Sequence, residues 1–240
     1  MAADLAGTGS DLRDASEAGP MRIALLGGTG DIGEGLTLRL ARGTDHELVV
    51  GSRSVEKAED AVEAYAQRLG EAATAELSSA SNPTAAADAD VVIACVPPYH
   101  LSDTVEAVAD ELGDAVLVSP AVGISRDEDG FHYNRPPHGS VAEVAADAAP
   151  EGTPVVGAFQ NLAAGALSDL DHELGFDVVV TGDDGAAKAT VMELIGELDG
   201  LRALDGGPLA NSAEVEAITP LLINLAAEND GLADLGVSFH

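Results

Sequence analysis

The stretch "RIALLGGTGDIGEGLTLRLARG", residues 22–43, decides how the chain folds. Its first six residues form a short, nearly all-apolar run, the pattern of a parallel strand covered on both faces. Glycines follow at once, and then Ile32, Leu36 and Leu40 recur at helical spacing until Gly43 supplies a stop. Between strand and helix, Gly28-Thr29-Gly30-Asp31-Ile32-Gly33 spells G-x-G-x-x-G, and a second apolar strand ends about 20 residues further on. In that context each glycine has a task. Gly28 permits a tight turn, Gly30 lets the backbone approach a diphosphate, and Gly33 packs the helix on the strand, while the helix N-terminus offers free N–H groups and a positive dipole. The stretch therefore predicts the first βα turn of a dinucleotide-binding fold.

The same alternation continues outward. "ELVVG" reads as a strand, "SVEKAEDAVEAYAQRLG" as a helix closed by Gly70, residues 74–77 as a weak strand, and "DVVIACV" as a strand. A helix from Pro98 to about Leu112, the strand "AVLVS" and a strand near 154–158 complete the series. Alternating strands and helices predict a Rossmann-like α/β fold with a doubly wound parallel sheet over residues 21–158. Beyond 158 the texture changes. "NLAAGALSDL" looks helical, "DVVVTG" is a strand, "DDGAAKATVMELIGELDG" is a helix, "LRALDGG" is a short strand and turn, and "LANSAEVEAITPLLINLAAEN" is a long helix that Pro220 should kink or restart. Residues 159–240 are thus expected to form a smaller mixed α/β domain. Residues 1–20 read as a disordered acidic tail, with Met21 a candidate functional start.

The second strand leads into "LVVGSRSVEK", residues 48–57. An acidic residue that would accept from the ribose hydroxyl of NAD is missing from its end, and Ser52-Arg53 stands there, with Lys57 one turn into the next helix. Only 11 Lys and Arg face 42 Asp and Glu in the chain, so two cations one turn apart are conspicuous. Arg53 can fork onto a 2′-phosphate, Ser52 can donate to it and Lys57 adds a point charge. The expected cofactor is NADP. Pairing of Arg53 and Lys57 with Glu56 or Glu59 on the helix surface is the competing explanation.

The remaining composition mainly excludes. A net charge of −31 leaves no basic surface for nucleic acid, and no apolar run approaches the ~20 residues of a membrane span. The acid is spread along the chain, which resembles the surface of proteins from salt-loving organisms and predicts activity that rises with salt. The single Cys95 lies among valines and reads as a buried apolar residue in a cytoplasmic protein. The six histidines form no metal pair or triad-like group, and His100 alone falls near the expected crevice. Asn211 and Ser212 read as helix caps. No catalytic acid, base or metal site emerges. That absence suits a hydride passing between two bound heterocycles, which needs placement and exclusion of water more than proton transfer by the protein.

With these residues in hand, the chain resembles the NADPH-dependent coenzyme F420 reductases, also called F420H2:NADP oxidoreductases. The likeness runs from Met21 to the C-terminus through "MRIALLGGTGDIGEGLTLRLA", "VVGSRSVEKAE", "IACVPPYH", "LVSPAVGISRDEDGF", "VTGDD", "ELDGLRALDGGPLANSAEVEAITPLLINL" and "LGVSF". It implies a homodimer in which a deazaflavin lies over the nicotinamide, in a cleft between a Rossmann domain and a small C-terminal domain. Position by position, it implies that Thr29, Gly30, Asp31 and Ile32 hold the diphosphate and that Ser52, Arg53 and Lys57 hold the 2′-phosphate. Val96, Pro97 and Val122 would wall the nicotinamide, and Asn161, Ala164 and Leu235 would line the facing side. One segment departs, since Gln160-Asn161-Leu162-Ala163 stands where some relatives have a His-Thr-Ile-Pro-like sequence. Reduction of an imine, a ketone, a flavin or ferric iron on the same fold, and an NADP-sensing module without turnover, are the alternative functions.

Overall fold

The computed structural model describes residues 19–240, so all but the end of the segment read as an acidic tail lies outside the described residues. Strand β1 (Arg22–Leu26) leads through the glycine turn to helix α1 (Asp31–Gly43), and β2 (Glu47–Ser52) leads to α2 (Val55–Leu69). Gly70 closes α2 with φ of 54°, a conformation that favours glycine. Then follow β3 (Glu76–Ser81), the short α3 (Asn82–Ala86), β4 (Val91–Ala94), α4 (Pro98–Glu106) and β5 (Val116–Ser119). A hairpin of β6 (Ile124–Asp127) and β7 (Gly130–Tyr133) precedes α5 (Val141–Ala148) and β8 (Val155–Gly157). The remainder is α6 (Ala164–Ser168), β9 (Phe176–Gly182), α7 (Gly185–Gly196), β10 (Leu201–Asp205), α8 (Ser212–Glu216) and α9 (Ile218–Glu228).

Eight strands form one sheet in the order β10-β9-β8-β5-β4-β1-β2-β3, and every pairing is parallel except that of β8 with β9. Alternation along β1 shows why the sheet is doubly wound. Ile23 and Leu25 enter one apolar cluster with Leu36 and Leu40 of α1, whereas Ala24 and Leu26 enter a second with Leu101 and Val105 of α4. All four β1 side chains are fully buried. Because β2 lies on one side of β1 and β4 on the other, the chain reverses its direction of travel there. That switch point opens a crevice beyond the strand ends at the glycine turn.

The structure differs from the sequence reading in several places. The weak strand expected at 74–77 runs over Glu76–Ser81, and the helix expected to reach Leu112 ends at Glu106, followed by a separate tight turn at Ala109–Glu111. The β6–β7 hairpin, α3 and α5 have no counterpart in that reading. No residue of the hairpin strands is buried, β6 is exposed throughout, and the sequence lacks the apolar alternation that marks a half-buried strand. The strands after residue 158 continue the main sheet: β9 joins β8 antiparallel through Val156–Gly182 and Gly157–Thr181, and β10 extends it. The long final helix does break, at Ala217, which puts Pro220 in the first turn of α9 where it removes no helical hydrogen bond. Asn211 and Ser212 do not act as side-chain caps. Asn211 Nδ2 donates to Gly206 O, and the fully buried Ser212 bonds Thr181 hydroxyl to hydroxyl at 2.6 Å.

Candidate functional site

The turn after β1 is built by contacts that exclude side chains. Gly27, one residue ahead of the motif, has φ of +67° and takes the left-handed position of the turn. Gly28 instead packs so closely that a Cβ on it would stand 2.8 Å from Leu25 O, and one on Gly33 would stand 2.5 Å from Gly28 Cα. Gly30 differs, because the nearest atom to a Cβ there is 3.6 Å away. No protein neighbour demands glycine at 30, so its small size leaves room over the N-terminus of α1 for a ligand. Tyr65 of α2, nearly buried, donates its hydroxyl to Gly28 O at 3.0 Å and ties the turn to the neighbouring helix. Burial pushes that phenol up to about 12, which keeps it a donor.

A cleft of about 310 Å³ lies against this turn and is lined by Thr29, Gly30, Ser52, Arg53, Lys57, Val96 and Pro97 among others. Ser52 Oγ accepts from Ser54 N at 3.2 Å, and Ser54 caps α2 by accepting from Lys57 N, so the Ser-Arg-Ser turn is held from within. Neither Arg53 nor Lys57 has an acidic partner within ion-pair distance among the described residues, which removes Glu56 and Glu59 as the explanation for them. Every other described lysine and arginine is engaged. Arg22, Arg68, Lys188 and Arg202 meet carboxylates, Arg39, Arg42 and Arg135 meet main-chain carbonyls, and Arg126 lies 5.0 Å from the centre of the Phe131 ring. The two unengaged cations face one cleft in a strongly acidic protein.

A second cleft of about 380 Å³ brings together Asn161, Ala164 and Leu235 with Leu222, Ile223 and Ala226 of α9. Asn161 is almost fully buried; its Nδ2 donates to Asp177 O at 2.7 Å, and its Oδ1 has no donor among the described residues. The loop that carries it passes through Phe159, fully buried and at φ of +69°, a costly conformation for a non-glycine residue. Asp177 also grips the C-terminal segment that presents Leu235. Its carboxylate accepts from Arg202 and from Phe239 N, and its own N–H donates to Val237 O. Arg202 holds that carboxylate below the usual range. The C-terminal end of α6 is fixed by three arginines. Arg39 donates to Ala166 O, Leu167 O, Asp169 O and His172 O, Arg42 to Leu170 O, and Arg68 to Ser168 O.

The comparisons with known proteins fall on this geometry. A family model described as "NADP oxidoreductase coenzyme F420-dependent" matches residues 22–123. The F420-dependent NADP reductase of Methanocaldococcus jannaschii is 40% identical over 208 residues, which span 85% of this chain and 92% of that one. The chain belongs to the F420-dependent NADP reductase family. The family member of Methanothermobacter thermautotrophicus is 39% identical over 212 residues, 87% of this chain and 90% of that one. A crystal structure of a putative F420-dependent NADP reductase from Arthrobacter superposes with a TM-score of 0.75 at 25% identity, covering 92% of this chain and 99% of that one. A pyrroline-5-carboxylate reductase from Coxiella burnetii, at 14% identity and a TM-score of 0.53, shares the fold alone.

The residues named from the sequence of this F420-dependent NADP reductase family member thus divide between two clefts. Thr29, Gly30, Ser52, Arg53, Lys57, Val96 and Pro97 meet in the first, and Asn161, Ala164 and Leu235 in the second. Gly28, Asp31, Ile32 and Gly33 shape the turn and the start of α1 without lining the first cleft, and Val122, half-buried after β5, lines neither. The first cleft also contains Ser54, Asn82, His100 and Thr104. Asn82 gave no signal in sequence, because it follows a strand whose end the pattern misplaced. The α9 residues of the second cleft stood out only as an apolar run.

Proposed function

We propose that the protein moves a hydride reversibly between NADP(H) and the deazaflavin coenzyme F420. The observation that carries this is the pair of unengaged cations, Arg53 and Lys57, facing a cleft beside a glycine turn whose residue 30 has room above it. The residues fit the cofactor pair. Gly28 N and Gly30 N already donate to the protein's own carbonyls, so the main-chain N–H groups of Thr29, Asp31 and Ile32 hold the diphosphate over Gly30; Ser52, Arg53 and Lys57 hold the 2′-phosphate, and Val96 and Pro97 wall the nicotinamide. The largely apolar second cleft, with the unmatched Oδ1 of Asn161, receives the deazaflavin between Ala164 and Leu235. When bound, F420 supplies a ring that accepts or returns a hydride at the nicotinamide.

The protein's part is to orient both molecules and keep water out. Besides Arg53 and Lys57, only Cys95, His100 and Asp234 among the two linings carry acidic or basic groups, and burial pushes the Cys95 thiol up to about 12. Such a lining suits a transfer in which the protein moves no proton, and it disfavours imine or ketone reduction. Residues 159–240 act as the part that closes the deazaflavin side. A homodimer is supported by α9, an apolar helix in which Pro220 alone is buried and Leu221 is 56% exposed. The acidic shell suits a salt-rich cytoplasm and disfavours nucleic acid as a partner. Mixing NADPH and oxidised F420 with the protein in high salt should bleach the visible absorbance of the deazaflavin. Absence of bleaching, or equal use of NADH, overturns the proposal.

A further inference from the structure

We propose that Asn82 is a further NADP-selecting residue, its Nδ2 donating to an oxygen at the 2′ corner of the adenosine ribose. The inference rests on the NADP reading of the first cleft and adds to it a contact that neither the glycine motif nor the basic pair contains. Asn82 opens α3 directly after β3 and lines the cleft while only 6% exposed. Its Oδ1 accepts from Gly27 N at 3.3 Å. A main-chain N–H can only donate, so this contact fixes which end of the amide faces the glycine turn. Nδ2 is left with no partner among the described residues, and the side chain that carries it lines the cleft.

Its position says what that donor meets. Gly51 is so close that a Cβ there would stand 2.8 Å from Asn82 Oδ1, so Asn82 sits between the turn that receives the diphosphate and the Gly51-Ser52-Arg53 end of β2 that receives the 2′-phosphate. The adenosine ribose is the group that joins those two phosphates, and it must pass over Asn82. A neutral amide is well suited to this place. It donates to an anionic oxygen without the desolvation cost of a third cation, in a chain with few cations to place there.

Asn82→Asp separates this role from support of the turn. An aspartate keeps an oxygen for Gly27 N but replaces the donor with an anion, which repels the 2′-phosphate of NADPH and accepts from the 2′-hydroxyl of NADH. Dissociation constants of wild type and N82D for both dinucleotides, measured at one fixed salt concentration, provide the test. The NADPH-over-NADH preference should fall at least ~10-fold in N82D. An unchanged ratio, whether both affinities are kept or both are lost equally, overturns the assignment. Should N82D not fold, N82A gives the same reading: NADPH affinity falls ~10-fold against less than ~3-fold for NADH, and equal losses overturn it. The wild-type ratio tests the underlying reading separately. A wild type that prefers NADH removes the NADP assignment and Asn82 together, whereas a wild type that prefers NADPH and a ratio that survives the substitution remove Asn82 alone.

Discussion

Arg53 and Asp177 are both charged, and what each one faces separates their roles. Arg53 faces a cleft and no carboxylate, so its free energy is realised only when an anion arrives. R53A should lower NADPH affinity by about one to two decades, as expected for a hydrogen bond to a charged group of roughly 1.5–3 kcal/mol, and leave NADH binding within ~3-fold. Titration of the two reduced dinucleotides checks both halves. Asp177 is fully engaged within the protein itself, and its carboxyl is held low by Arg202 and then by Phe239 N–H. A carboxyl lower in the folded than in the unfolded chain stabilises the fold above the unfolded value of about 4, and that contribution is lost as the pH falls through the folded-state value. The melting-temperature gap between wild type and D177N should therefore be full near neutrality and narrow below pH ~4. A gap that widens on acidification contradicts the assignment.

At the scale of elements, α6 is five residues long and too short to hold itself. It is held by α1, where Gly35 is so close that a Cβ would stand 2.5 Å from Leu167 Cβ, and where the nearly buried Arg39 meets four carbonyls at and beyond the end of α6. R39A should leave several of those carbonyls without a donor, costing about 3 kcal/mol and roughly 6–12 °C of melting temperature. R39K should recover less than half, since one ammonium cannot span four acceptors. Differential scanning calorimetry reads both. The same contrast explains what the sequence disclosed. The glycine turn and the Ser-Arg-Lys cluster were legible because each is a local pattern whose spacing has a mechanism. The second cleft was legible only through family likeness, because Asn161, Leu222 and Leu235 come from three distant segments that packing brings together. Asn82 was hidden for another reason: its role comes from Gly27 and Gly51, 55 and 31 positions away in the chain.

At the scale of the molecule, a charge of −31 repels both anionic cofactors and the protein itself, and the Debye length shrinks from ~30 Å at 0.01 M salt to ~3 Å at 1 M. Salt weakens the individual contact of Arg53 with phosphate but relieves a much larger general repulsion. Turnover should rise with potassium chloride into the molar range, and a steady decline from low salt would contradict this. One more property follows from the antiparallel seam at β8 and β9. A chain whose two lobes hang on separate sheets can swing them about the connecting peptide, but here one continuous sheet carries both the turn beside the first cleft and β9, which holds Asn161 of the second, and so links the two clefts. Loading them should therefore barely alter the molecule's envelope, so that X-ray scattering profiles of the vacant and the doubly loaded enzyme superimpose.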